Sequence, residues 1–181
     1  SNAVGARCAR LAAFDWECSR GGCRVLAGVD EAGRGCWAGP VVAAAVILPA
    51  RARLDGLDEL DDSKRISASR REAVFAAILA RAVSWGACAV SAAEIDRVNI
   101  LAATLLAMSR AVAKLDPAPE LLLVDGLQVP RVPCEARAIV KGDGTSAAVA
   151  AASVVAKVLR DRVMVALDRR YPEYGFAAHK G

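Results

Sequence analysis

The sequence predicts an α/β domain that opens with an antiparallel hairpin and adds its later strands through helices. Three observations carry this. Two apolar segments, Val25 to Asp30 and Val41 to Leu48, are separated only by a Gly-rich turn, which suits antiparallel pairing and leaves no room for a crossover. Two further short apolar runs follow: Leu121 to Val124, between long helices, reads as a buried strand, and Ala138 to Val140 as a fifth, shorter one. Hydrophobic residues make up 55% of the 181 and aromatics only 4%, enough for one aliphatic core and inconsistent with disorder.

The elements follow in chain order. Ser1-Asn2-Ala3 reads as the remnant of a cleaved tag, and residues 1–24 are taken as a leading segment to a domain of residues 25–181. Val25 to Asp30 is a strand ending in the charged turn Glu31 to Gly39. Val41 to Leu48 is nearly all apolar and should be buried on both faces. Pro49 to Asp62 is polar and acidic, the best candidate for a long loop. Ser69-Arg70-Arg71-Glu72 matches a capping box, and the helix after it sets Phe75, Ile78, Leu79 and Ala82 on one face. Val83 to Val90 is a third strand. Glu94 to Leu115 is helical with a break near Asn99, and Pro117 and Pro119 end it. Ser146 to Arg170 is the last helix. At 100° per residue, Val155, Val158, Leu159, Val163, Val165 and Ala166 share one arc. Lys157, Arg160, Asp161 and Asp168 share the opposite one, with Arg162 the exception.

The net charge of +4 is compatible with a polyanionic partner, although placement of charge matters more than its sum. No run reaches the ~18 apolar residues of a membrane helix, and no secretory signal opens the chain, so no membrane association and a cytoplasmic location are expected. The six cysteines form no C-x-x-C pair and His179 is the only histidine. This argues against structural zinc and for free thiols.

The acids fall where strands end. The first strand ends in Asp30-Glu31, the fourth in Asp125, and the fifth leads to Asp143. In an open α/β sheet functional groups gather beyond the carboxyl ends of the strands. Carboxylates gathered there repel one another and invite divalent cations. Oxygen-only ligands point to Mg²⁺ or Mn²⁺, and two such ions can serve phosphodiester cleavage. Each acid has a plainer reading: Asp-Gly after a strand is also a turn signal, and pattern alone leaves both open. Asp30 and Glu31 should face opposite ways along a strand, so Glu31 is expected to join only if the strand ends there. Gly33-Arg34-Gly35 does not open a helix and is no dinucleotide fingerprint, but it lets backbone approach a ligand, and Arg34 suits phosphate.

The motifs together resemble bacterial ribonuclease HII. They are Gly28-Val29-Asp30-Glu31-Ala32-Gly33-Arg34-Gly35, Ala38-Gly39-Pro40-Val41-Val42, Asp62-Ser63-Lys64, Val124-Asp125-Gly126, Lys141-Gly142-Asp143, Ala151-Ala152-Ser153-Val154-Val155-Ala156-Lys157, and Tyr171-Pro172 through His179-Lys180-Gly181. The resemblance implies a ribonuclease H-like fold, a mixed five-stranded sheet flanked by helices. It implies a monomeric, metal-dependent endoribonuclease that cuts RNA in RNA–DNA hybrids and 5′ to ribonucleotides embedded in duplex DNA, leaving 3′-hydroxyl and 5′-phosphate ends and so serving DNA repair. Carried over, Asp30, Glu31, Asp125 and Asp143 are the catalytic, metal-binding acids. Gly33, Arg34 and Gly35 would sense the ribose 2′-hydroxyl, and Lys64 and Lys157 would meet backbone phosphate. For Lys157 a solvated helix face is the alternative, and His179 is expected to be a hydrogen-bonded structural residue. Two departures stand out. Cys36-Trp37 replaces the family's commoner Pro-Leu, and the family pattern continues after His-Lys-Gly with a tyrosine that stacks at the RNA–DNA junction, whereas this sequence stops at Gly181. A core that binds hybrid without cutting it is therefore the alternative reading.

Overall fold

The hairpin forms as expected. In the computed structural model, which describes residues 2–49, 57, 60 and 67–181, β1 (Leu26–Ala32) pairs antiparallel with β2 (Val41–Ile47). Side chains are described for residue 6 and from residue 8 onward within these ranges. β3 (Ser84–Val90) adds antiparallel to β2, while β4 (Leu121–Asp125) and β5 (Glu135–Ile139) add in parallel on the other side. The result is a mixed five-stranded sheet of order β3-β2-β1-β4-β5. Parallel neighbours need crossovers. These are α2 (Ala68–Arg81), α3 (Ala92–Val98) and α4 (Ile100–Val112) before β4, and a short loop before β5.

β2 is buried along its whole length, because helices cover both faces of the sheet. On one face α5 (Ala147–Arg170) lies across the centre, with α2 and the N-terminal helix α1 (Asn2–Ser19) beside it. Leu11, Ala44, Val46, Phe75, Ile78 and Val154 share that layer. On the other face α4 meets the sheet through Ala107, Met108 and Ala111 against Val29, Val41 and Ala45.

Several boundaries differ from the sequence reading for local physical reasons. β1 does not end at Asp30: Glu31 pairs with Ala43 and Ala32 with Val42. β5 begins at Glu135 because an edge strand, here mostly exposed, needs no apolar run. Ser67, not Ser69, caps α2 by accepting the Arg70 N–H. The helix read from Glu94 starts earlier, at Ala92, on a capping box of Ser91 and Glu94. The break at Asn99 is present: Asn99 adopts φ 73° and serves as C-cap of α3 and N-cap of α4. The chain before Val25 is helical and packs Cys8, Leu11 and Ala12 into the core.

The two-arc reading of α5 is overturned. Residues 147–156 are buried on every side, and Arg160, assigned to the solvent arc, is 1% exposed. Small alanines let this half of the helix sit between sheet, α1 and α2 at once. The Pro49 to Asp62 loop and Lys64 lie almost wholly outside the described residues.

Candidate active site

Strand register sets the first two acids side by side. β1 and β4 run parallel with Val29 opposite Val124, so Asp30 and Asp125 are the next residues on adjacent strands and point to the same face, that of α5. This requires α5 to come very close to β1, and Gly28 permits it: a Cβ there would lie 2.2 Å from the backbone of Ala148 and Val149. Glu31 points to the opposite face of β1, as alternation demands. It nevertheless feels the Asp125 charge, because the pair lies at the open end of the strand. The expected end of the strand at Glu31 is not seen, since β1 continues through Ala32.

Each acid is held by a neighbour. Asp30 is 4% exposed, its Oδ1 accepts the Glu31 N–H at 2.7 Å, and the Ser153 hydroxyl on α5 also stabilises its charge. Burial, then the charges of Asp125 and Glu31, push Asp30 well above the usual carboxylate range. Burial likewise raises Glu31, against the pull of Arg34, whose Nη1 lies 3.5 Å from Glu31 Oε1. Asp125 Oδ1 accepts the Gly142 N–H at 2.6 Å. Asp143 follows Gly142 in a 3₁₀ turn (Gly142–Gly144) that leads into α5, with Lys141 before it in the left-handed region at φ 56°. Among the described residues no three Asp, Glu, His or Cys side chains stand at the mutual spacing of a metal-holding group. Glu31 turns toward Arg34 and Asp125 toward Gly142.

The donor set suits a hard divalent cation. It is all oxygen, with no sulfur or imidazole, and its buried member, Asp30, has a carboxyl raised first by burial and then by the like charges beside it. Asp30, Glu31, Asp125 and Asp143 would be the residues to hold it.

The loop after β1 is braced from beneath. Gly33 has φ +99°, and a Cβ there would sit 2.1 Å from Arg160 Nε. Arg160 donates to the carbonyls of Pro40 (3.0 Å), Ala38 (2.9 Å) and Lys180 (2.7 Å). Gly35 has open space around it, and Cys36 N–H closes a turn onto Gly33 C=O. Lys157 Nζ is taken up by Asp161 at 2.7 Å. His179 accepts the Gly181 N–H on Nδ1 and so donates from Nε2 to Tyr174 C=O at 2.8 Å. Sequence reasoning missed Arg160 and Ser153 as partners of the site. The helical period sets Arg160 on the polar arc with Lys157 and Asp161, so no local signal pointed to its burial.

A mixed β3-β2-β1-β4-β5 sheet with acids at the carboxyl ends of its central strands defines a ribonuclease H-like protein. The family model described as Ribonuclease HII matches residues 27–181, and the chain belongs to that family, which places it among endoribonucleases, hydrolases acting on RNA–DNA hybrids. It is 56% identical over 180 residues to the Ribonuclease HII of Geobacillus kaustophilus, covering 99% of this chain and 68% of that protein. It is 49% identical over 160 residues to that of Vibrio cholerae, covering 88% and 76%. It is also 56% identical to the Ribonuclease HII of Geobacillus thermodenitrificans, of which the chain spans 64% of the length. Among solved structures it is similar to the ribonuclease H2 of Pyrococcus horikoshii, with TM-score 0.72, 28% identity and coverage of 83% of this chain and 78% of that one. It also shares the fold of Bst-RNase HIII, solved in complex with Mn²⁺, at TM-score 0.68 and 22% identity, covering 81% and 55%.

Proposed function

We propose that this chain is a metal-dependent endonuclease that cuts RNA in RNA–DNA hybrids and 5′ to single ribonucleotides in duplex DNA, removing ribonucleotides from DNA. The observation that carries it is the neighbouring pair of buried Asp30 and half-buried Asp125 at the carboxyl ends of the adjacent strands β1 and β4, with half-buried Glu31 next to Asp30. Two divalent ions, Mg²⁺ or Mn²⁺, held by Asp30, Glu31, Asp125 and Asp143 would supply activation of water and neutralisation of charge on the phosphate. The chain's own residues do the rest. Ser153 and the Glu31 N–H orient Asp30, and the Gly142 N–H orients Asp125. Backbone groups of the Gly33-Arg34-Gly35 loop, open to a ligand at Gly35, select the ribose 2′-hydroxyl. Arg34 turns from Glu31 toward phosphate when substrate arrives. Lys64, and Lys157 once released from Asp161, serve as phosphate contacts.

The test is a labelled DNA duplex with one ribonucleotide, incubated with Mg²⁺, Mn²⁺ or chelator, beside an all-DNA duplex. Nicking 5′ to the ribonucleotide that chelator abolishes is the expected result. Binding of the duplex without nicking in either metal would overturn the assignment and leave a hybrid-binding core.

A further inference from the structure

α1 precedes the segment that the family model matches, residues 27–181, yet one of its side chains is bonded into the half of the molecule that holds the acids. Asp15 Oδ2 accepts the Ala148 N–H at 2.9 Å, across 133 residues of chain. The Ser146 hydroxyl and the Ala147 amide also stabilise this carboxylate, while its Oδ1 is buried without a hydrogen-bond partner. A helix start leaves its first amides without intrahelical partners. Here Ser146 caps its own helix by accepting from Val149 N–H at 3.2 Å, and Asp15 supplies a second acceptor from another helix.

What hangs from this doubly capped turn is the candidate site. Ser146 N–H bonds Gly142 C=O at 2.8 Å, Thr145 N–H bonds the same carbonyl at 2.9 Å, and Gly142 N–H bonds Asp125 Oδ1 at 2.6 Å. Lys141 opens the turn with φ 56°, a conformation that a residue with a side chain keeps only where its surroundings hold it. Hydrogen bonds thus run from Asp125 through Gly142 to Ser146, the cap of the helix whose Ala148 N–H is held by Asp15, and Asp143 lies in the turn between.

We infer that Asp15 is a positioning residue for the acid cluster, and that α1 is a working part of the nuclease because it fixes the turn of residues 141–146. The inference rests on the reading of Asp125 and Asp143 as metal-holding acids. It deepens that reading by naming what orients them from outside the family-matched segment.

The experiment uses the full chain and Mn²⁺ alone as probe, with binding read by electron paramagnetic resonance and backbone order read by amide hydrogen exchange. Asp15→Ala should weaken Mn²⁺ binding about tenfold, the scale of lost outer-shell support for a metal ligand, and should speed exchange at Gly142 and Ser146. Leu11→Ala, which removes packing from the same helix without touching the carboxylate, should lower the unfolding midpoint and leave Mn²⁺ affinity unchanged. Should Asp15→Ala fail to fold, Asp15→Asn carries the same comparison with a smaller shift. Unchanged Mn²⁺ affinity and exchange in a folded Asp15 variant overturn the inference, as does a Leu11→Ala effect on Mn²⁺ equal to that of Asp15→Ala. If the wild-type chain binds no Mn²⁺, the proposed function falls, and exchange at Gly142 alone then decides whether the series of bonds exists.

Discussion

Arg160 Nε donates to the carbonyl oxygen of Pro40 at 3.0 Å, joining residues 120 apart in the chain. Its other two nitrogens reach Ala38 and Lys180, so one buried guanidinium ties the loop after β1 to the last residues of the chain. Removing it strands three carbonyls, and an unsatisfied buried polar group costs about 1–3 kcal/mol. Allowing for water reaching some of them, Arg160→Ala should destabilise by roughly 3 kcal/mol, a fall of roughly 10 °C in unfolding midpoint for a domain of this size. Lysine lacks the planar fork, so Arg160→Lys should recover less than half. Thermal denaturation of both variants checks this, and a loss of under about 1 kcal/mol for Arg160→Ala would mean that the clamp is dispensable.

Asp30→Asn and Asp125→Asn should each abolish nicking while leaving the fold intact. Relief of carboxylate repulsion in a buried cluster should hold stability level or raise it by about 1 kcal/mol. For Asp30, whose pKa is raised by burial and by Asp125, the gain should grow with pH, since the wild-type group resists ionisation. Urea unfolding at two pH values, beside the duplex assay, reads both parts. Wild-type cleavage in either variant would refute the site assignment.

Asp15 gives a separate pH signature. Burial pushes its carboxyl up to about 6 from 3.8. The folded state therefore binds its proton more tightly than the unfolded state does. The stabilisation is complete below the unfolded value of 3.8 and is lost as pH rises through about 6. Two pKa units correspond to at most about 3 kcal/mol. Relative to Asp15→Asn, the wild type should lose stability between pH 4 and pH 7, measured by urea unfolding across that range. Parallel pH profiles for the two proteins would show that Asp15 does not titrate in this window.

Two glycines should separate packing from recognition. Gly28→Ala places a methyl 2.2 Å from the α5 backbone and should destabilise by about 3 kcal/mol or more as helix and strand move apart. Gly35 meets nothing within 4 Å, so Gly35→Ala should fold with a stability change within about 0.5 kcal/mol. It should nonetheless slow nicking at a ribonucleotide, if backbone there reads the 2′-hydroxyl. Circular dichroism melts and single-turnover cleavage distinguish the two, and a destabilised Gly35→Ala would contradict the open space seen around it.

Much of this protein was legible in the residues alone. The apolar runs of β1, β2 and β4, the break at Asn99, and the places of Asp125 at the end of β4 and Asp143 beyond β5 all follow from local pattern. Burial period, turn chemistry and chain punctuation act over a few residues. The family motifs are local as well, which is why the ribonuclease H-like fold could be expected before any coordinates. Tertiary structure decided the rest, because the partners lie far away in the chain. β5 is an edge strand whose place comes from pairing with β4 and not from its own polar residues. The first half of α5 is buried on all sides only because sheet, α1 and α2 enclose its alanines, and a helical wheel put Arg160 on the solvent arc although the fold buries it. That the Asp125 charge reaches Glu31 depends on the open end of β1, and that Asp15 reaches Ala148 depends on α1 folding back across 133 residues. Periodicity reports which side of an element is apolar, whereas which groups meet there is set by packing.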